Sequence, residues 1–300
     1  MRARPTSGGR ASRQTLGRPA VSHSGRPAVH PRPLPPQTMS RPTVVHAALL
    51  AAAVLLPALL PAQPWRRDEV TAEREGAVRT AGATWIEVEA RAGSLRVEGR
   101  RGLAEVRARG TARASSREIL DLVRVRVDRS TDGVLVRVEA PDDLGDGEWA
   151  ALDLVVEVPD DLPVRVDDGS GDVVVRDVAA LDLGDGSGNV EITGVGGRLR
   201  LRDGSGDVRA SDLRGDVELE DGSGMVDVRG VRGTVRVRDG SGDLAVRDVD
   251  GSVVVESKGS GGIRVDGVTG DLTVDRGYRR AVSHSGVRGR VDVPPERDGG

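Results

Sequence analysis

The chain of 300 residues has no cysteine and no phenylalanine, one tyrosine (Tyr278) and three tryptophans (Trp65, Trp85 and Trp149). The missing cysteine excludes disulfide staples, thiolate catalysis and a lipid-bearing cysteine anchor. The missing rings exclude the usual means of closing a thick core, because an aromatic side chain buries far more apolar area than an aliphatic one. Val, Leu and Ile must supply the bulk in a chain with 41 glycines, which suits thin, repeated cross-sections. Histidine is scarce too: beyond residue 62 only His284 remains. A nucleophile–base–orienter arrangement and a multi-histidine zinc site both lack their parts, so no catalytic residues are expected. Residues 1–62 hold eight arginines and no acid, which leaves 36 basic against 47 acidic groups in 63–300. So acidic a body repels phosphate backbones, and no nucleic-acid partner is expected.

Residues 1–62 read as targeting rather than fold. Val44 to Leu60 is a short apolar run behind Arg41, and it ends in Pro61-Ala62-Gln63. That order of charge, apolar run and small residue describes a signal peptide over 39–62 with cleavage after Ala62. A membrane span needs about 20 apolar residues, so membrane attachment is expected only if this segment is retained as an anchor. The expected location is therefore extracytoplasmic: periplasm, cell surface or medium. Residues 1–38 form a basic, low-complexity arm, and Met39 reads as the true start. Residues 63–83 read as a charged linker, and 294–300 as a disordered tail.

A repeat organises the rest. The tetrapeptide Asp-Gly-Ser-Gly begins at Asp168, Asp185, Asp203, Asp221 and Asp239, at spacings of 17, 18, 18 and 18, and a variant copy begins at Lys258. A second turn follows each copy, as in Asp212-Leu213-Arg214-Gly215 and Gly230-Val231-Arg232-Gly233. Between turns, apolar residues alternate with charged ones, the period of a strand. Val190, Ile192, Val195, Leu199 and Leu201 are matched one repeat later by Val208, Ala210, Leu213, Val217 and Leu219. Stacked in parallel, such coils build five aliphatic columns. A hexapeptide helix is excluded because Asp207 falls where it needs an apolar residue. Outward columns alternate in sign, as in Arg202, Glu220, Arg238 and Glu256, which sets opposite charges on neighbouring strands. They read as stacking ladders rather than as a ligand patch.

The predicted fold is all-β: a single-stranded parallel β-solenoid (β-helix) of about six to seven 18-residue coils over 161–293. An irregular β cap over 84–160 precedes it and is continuous with it. Within the cap, 85–90, 94–98, 122–127, 134–138 and 152–158 alternate as strands. Ser115-Ser116-Arg117-Glu118 opens one short helix as a capping box.

The passage LVVEVPDDLPVRVDDGSGDVVV (154–175), the recurring GSGDV, GSLRVEG (93–99) and the short helix near residue 118 together resemble the bacterial toastrack, or adhesin-type, β-solenoid domains. The resemblance covers roughly 84–293. It implies a surface or envelope domain of unknown biochemical role, with no catalytic residues to carry over. The expected function is that of a non-catalytic structural or adhesive module that binds a cell-surface polymer or protein.

Two other readings stay open. A polysaccharide-acting β-helix enzyme shares the architecture but needs clustered carboxylates and aromatic sugar platforms, and an envelope-stress or scaffold domain needs neither. No organic cofactor is expected. Calcium is the one candidate ligand of the repeat itself, since Asp168, Asp172, Asp185, Asp203, Asp207, Asp221, Asp239 and Asp243 flank the glycine turns and could stack oxygen ligands. Asn189 and Met225 interrupt the second of those columns, and the alternative is that Asp and Ser hydrogen-bond the turn backbone. An ice-binding face is excluded, because the outward columns carry charge where a threonine array is required.

Overall fold

Strict alternation assigns every second side chain of a repeat to the interior, and each turn resets the phase. The computed structural model describes residues 69–278 and 280–295. The N-terminal strands are β1 (Val70–Arg79), β2 (Trp85–Glu89), β3 (Leu95–Arg100), β4 (Glu105–Ala114), β5 (Arg124–Arg129), β6 (Gly133–Glu139) and β7 (Ala150–Pro159). One helical turn, α1 (Arg117–Leu120), separates β4 from β5. The repeats begin with β8 (Pro163–Asp168), β9 (Val173–Val178), β10 (Ala180–Asp185), β11 (Val190–Val195), β12 (Leu199–Asp203) and β13 (Val208–Leu213). They continue through β14 (Val217–Ser223), β15 (Val226–Val231), β16 (Val235–Ser241), β17 (Leu244–Val249) and β18 (Val253–Ser260). Last come β19 (Ile263–Val268), β20 (Leu272–Val274), β21 (Val282–Val287) and β22 (Val291–Asp292).

The strands form two sheets of eleven. One runs β1-β4-β7-β3-β9-β11-β13-β15-β17-β19-β21, and the other β5-β6-β2-β8-β10-β12-β14-β16-β18-β20-β22. Each coil gives one strand to each sheet, so a coil has two faces. From β8–β9 to β20–β21 seven coils stack in parallel in chain order. This is the β-solenoid the spacing predicts, with the five aliphatic columns in register: Leu199 faces Leu181 and Val217, and Ile192 faces Val175 and Ala210. All five residues of the coil at 190–201 are at most 1% exposed.

The coil formed by β2 and β3 is out of order. In space β2 lies between β6 and β8, and β3 between β7 and β9, all parallel. A segment made early is thus laid between two coils made later. Beyond β6 and β7 the stack ends in antiparallel pairs, β5 on β6 and β4 on β7, with β1 on β4.

Two features of this end depart from the sequence reading. Residues 70–79, expected within a linker at 63–83, are strand β1, paired with β4 along its whole length; 63–68 lie outside the described residues. Arg74 on β1 also donates to the carbonyls of Val123 and Leu120, at 2.7 and 2.8 Å, and ties the strand to the end of α1. Strand β4 was not expected at all. Its inward residues are Val106, Ala108, Gly110, Ala112 and Ala114, and β1 places Val70, Ala72, Arg74, Gly76 and Val78 on its half-buried face. Side chains that small leave little hydrophobic period to read. Helix α1 forms where expected, but its N-cap is Ser116, accepting from Ile119 N at 3.3 Å, while the Ser115 hydroxyl accepts from Trp149 N instead of opening a box with Glu118.

The expected arm 1–38 and signal peptide 39–62 lie outside the described residues, as do 296–300 of the tail. Among the described residues no helix is long and apolar enough to cross a membrane.

Candidate functional site

The turns contain the eight candidate aspartates, and the structure divides them into two sets. Asp168, Asp185 and Asp203 end β8, β10 and β12, Asp221 and Asp239 lie two residues before the ends of β14 and β16, and all five stand in register, each against the next. Alternation continues through them: Leu199, Leu201 and Asp203 all face inward. The five carboxylates are therefore a sixth interior column, 3–7% exposed. No well-formed hydrogen bond reaches the carboxylate oxygens of Asp168, Asp185, Asp203 or Asp221; the turn N–H groups of Gly169, Gly186, Ser187, Ser205 and Ser223 lie near them and act to lower their pKa.

Lys258 closes this column. It follows Asp239 at one position more than the repeat spacing, and simple alternation after Val253 and Val255 would send Ser257 inward. A bulge between β16 and β18 takes up the extra residue, so that Lys258 pairs with Asp239. Their side chains are fully buried, with Nζ 3.0 Å from the Asp239 carboxylate. The ammonium also donates to the carbonyls of Gly242, at 2.6 Å, and Ser260. One coil beyond, the Tyr278 hydroxyl donates to Gly261 O at 2.7 Å.

Asp172, Asp207 and Asp243 face the other way. Each accepts the backbone N–H of the following coil: Asp172 from Asn189 (3.0 Å), Asp207 from Met225 (3.1 Å) and Asp243 from Gly262 (2.8 Å). Asn189, read as an interruption, does the same for Asp207 at 3.2 Å. The structure thus does not bring the two sets together. Among the described residues no group of three or more His, Asp or Glu side chains converges to hold a metal ion.

The outward charge ladders form as expected. Arg238 lies 2.6 Å from both Glu220 and Glu256, and Arg200 lies 3.2 Å from Glu218. Exposed pairs of this kind are individually worth about 0–1 kcal/mol, which helps register more than stability. His284 sits exposed on strand β21.

Among the concavities of the described residues, two lie on different parts of the surface. A groove of about 680 Å³ follows the second turns, where Asp177, Asp212 and Asp248 (φ 56–57°) alternate with Gly194 and Gly230 in left-handed conformation. The second, of about 500 Å³, lies on the face of the β2-containing sheet and is lined by Trp85, Glu87, Pro163, Arg165, Ala180 and Asp182 among others. Its floor follows from register: β2, β8 and β10 bring Trp85, Pro163 and Ala180 into one outward row, and Glu87, Arg165 and Asp182 into the next. The indole lies over Gly133, where any Cβ would overlap it, and Nε1 donates to Asp132 at 3.1 Å. Sequence reasoning missed this site. Trp85 was legible as a strand residue, but its neighbours Pro163 and Ala180 are brought to it only by the out-of-order coil.

The family comparison agrees with this architecture. The family model described as Toastrack DUF4097 matches residues 137–279. No curated protein matches the chain. Among solved structures, a "putative cell adhesion protein" from Clostridium sporogenes is 12% identical, with 75% of this chain and 97% of that one covered and a TM-score of 0.32. A "putative adhesin" from Bacteroides fragilis is 12% identical, covering 74% and 96%, with a TM-score of 0.26. One from Parabacteroides merdae is 10% identical, covering 73% and 95%, with a TM-score of 0.25. The matched segment runs from β6 through the stacked coils and their aspartate turns, so that residues 137–279 are similar to the toastrack family.

Proposed function

We propose that the chain is a non-catalytic, extracytoplasmic β-solenoid that binds a cell-surface polymer, and that the polymer is a glycan seated on Trp85. The observation that carries this reading is the Trp85 concavity. It combines an indole, the apolar surfaces of Pro163 and Ala180, and a row of charged groups one strand position away. A pyranose ring needs this pairing: an apolar platform for its C–H face and polar groups for its hydroxyls. Glu87 and Asp182 both face Arg165, at 3.7 and 3.9 Å. An arginine shared by both carboxylates suits hydroxyl recognition better than acid–base work, and this favours binding over cleavage. The apolar run at 44–60 supports export.

The test is a glycan array with the purified chain, repeated with Trp85→Ala and Arg165→Ala. Binding should fall at least tenfold in both, with circular dichroism unchanged. Depolymerisation of a bound polysaccharide would overturn the non-catalytic reading. Glycan binding indifferent to both substitutions would move the site elsewhere.

A further inference from the structure

Five carboxylates stand one above another in an apolar interior, about 4.8 Å apart by the spacing of parallel strands. Fully ionised, they would set five negative charges against the single positive charge of Lys258. The donors near the first four are backbone N–H groups of the turns, none in good hydrogen-bond geometry, and a buried charge without a full partner is so costly that a group changes its protonation instead.

We propose that the ladder is held together by shared protons: Asp168 and Asp203 are carboxylic acids at neutral pH and donate to Asp185 and Asp221, while Asp239 stays ionised against Lys258. Adjacent carboxyls in one site cannot both ionise at ordinary cost, so protons on alternate rungs satisfy the column with the fewest buried charges. The electrostatics follow the same alternation. Burial, and then the neighbouring Asp185, push Asp168 up to about 7. Burial, and then Asp185 and Asp221, push Asp203 up to about 7. Asp185 is raised by burial but drawn back by hydrogen bonds from Asp168 and Asp203, which makes it the acceptor. Asp221 is raised to about 6 by burial and by Asp239, and drawn back by a hydrogen bond from Asp203, whose single proton serves Asp221 when Asp168 supplies Asp185.

The surroundings offer little competing charge. Glu89, Arg91, Arg137 and Asp167 border the Asp168 end, and Arg202, Glu220 and Arg238 lie on the outer face beside the middle rungs. Lys258 and Tyr278 close the far end. The inward residues that begin the strands of the facing sheet are aliphatic: Val173, Val190, Val208, Val226 and Leu244.

An unfolded aspartate titrates near 3.9. A group raised above that value in the folded state contributes stability that is complete below about pH 4, is lost as pH rises through about 7, and changes no further above it. The test compares urea midpoints of the whole chain and of Asp203→Asn from pH 4 to pH 9. The amide donates as the acid does but does not ionise. The wild-type unfolding equilibrium should lose ground to the variant's between about pH 4 and 7, by on the order of 10²–10³-fold in total. Independently of whether the variant folds, infrared spectra of the carbon-13 aspartate-labelled wild type should show a protonated-carboxyl band at pH 7 that disappears on unfolding. Parallel midpoints together with no such band would overturn the proposal. So would an absent band combined with a midpoint raised by millimolar calcium, which would give the column to a metal ion.

Discussion

Replacing Gly224 with alanine should damage the solenoid more than the same change at Gly230, although both glycines have positive φ. Gly224 is the last residue of Asp221-Gly222-Ser223-Gly224 and has φ of 144°. A Cβ there would lie 2.6 Å from the carbonyl carbon of Gly206 and closer still to its oxygen. The backbone region alone costs an alanine about 1–3 kcal/mol. Relieving the overlap means parting the two coils that Gly206 N joins by donating to Ser223 O at 2.9 Å, a bond worth about 1 kcal/mol net. Gly224→Ala should therefore cost about 2–4 kcal/mol. Gly230 sits in the second turn at φ of 66°, and a Cβ would find nothing nearer than Asp212 N at 3.6 Å. Asp212 and Asp248 already hold that conformation in the neighbouring coils, so Gly230→Ala should cost only about 1–2 kcal/mol, the penalty for a left-handed alanine. Urea unfolding followed by circular dichroism gives both values from the midpoint at constant slope. Equal losses at the two sites would refute the claim that carbonyl proximity, not φ alone, demands glycine in the Asp-Gly-Ser-Gly turn.

Three further outcomes are expected. Leu201→Ala, which empties a fully buried place in an aliphatic column, should lower stability by about 2–5 kcal/mol in the same assay. Asp207→Ala should cost about 1 kcal/mol by leaving Met225 N–H without its acceptor, and Asp207→Asn should recover it; amide exchange at Met225 reads both. Lys258→Met should destabilise by about 3–5 kcal/mol near pH 8, because Asp239 is left buried and unpaired. The loss should shrink towards pH 5, since burial already raises Asp239 and a proton can replace the lost cation; a thermal-shift series across pH checks this.

Much of the architecture was legible because the repeat spells out its own columns. Val190, Ile192, Val195, Leu199 and Leu201 recur at the spacing of the repeat, and parallel stacking is the arrangement that buries them all. The aspartates were harder. Their place two positions after Leu201, Leu219 and Val237 carried the inward phase, but glycine on the far side made each look like the start of a turn. Burial of a carboxylate is a tertiary fact, and no local preference announces it. Strands β1 and β4 escaped for a different reason: Ala108, Gly110 and Ala112 fill narrow space where a larger side chain would not fit, so they carry almost no hydrophobic contrast. The Trp85 concavity was invisible because its walls come from strands on either side of the long excursion between β3 and β8.

That excursion also has a consequence for how the molecule is made. The coil of β2 and β3 emerges first but can pair on neither side until β6 to β9 have followed it. Its contacts are the long-range ones, slow to close because chain entropy must be lost before any pairing rewards it. Every coil from β10–β11 onward, by contrast, docks on a neighbour made just before it. Folding is therefore expected to wait for one event, the capture of residues 85–100, and then to run towards the C terminus as simple addition. For a chain exported as proposed, that delay keeps the early segment unpaired, and so threadable, while the remainder is still on its way.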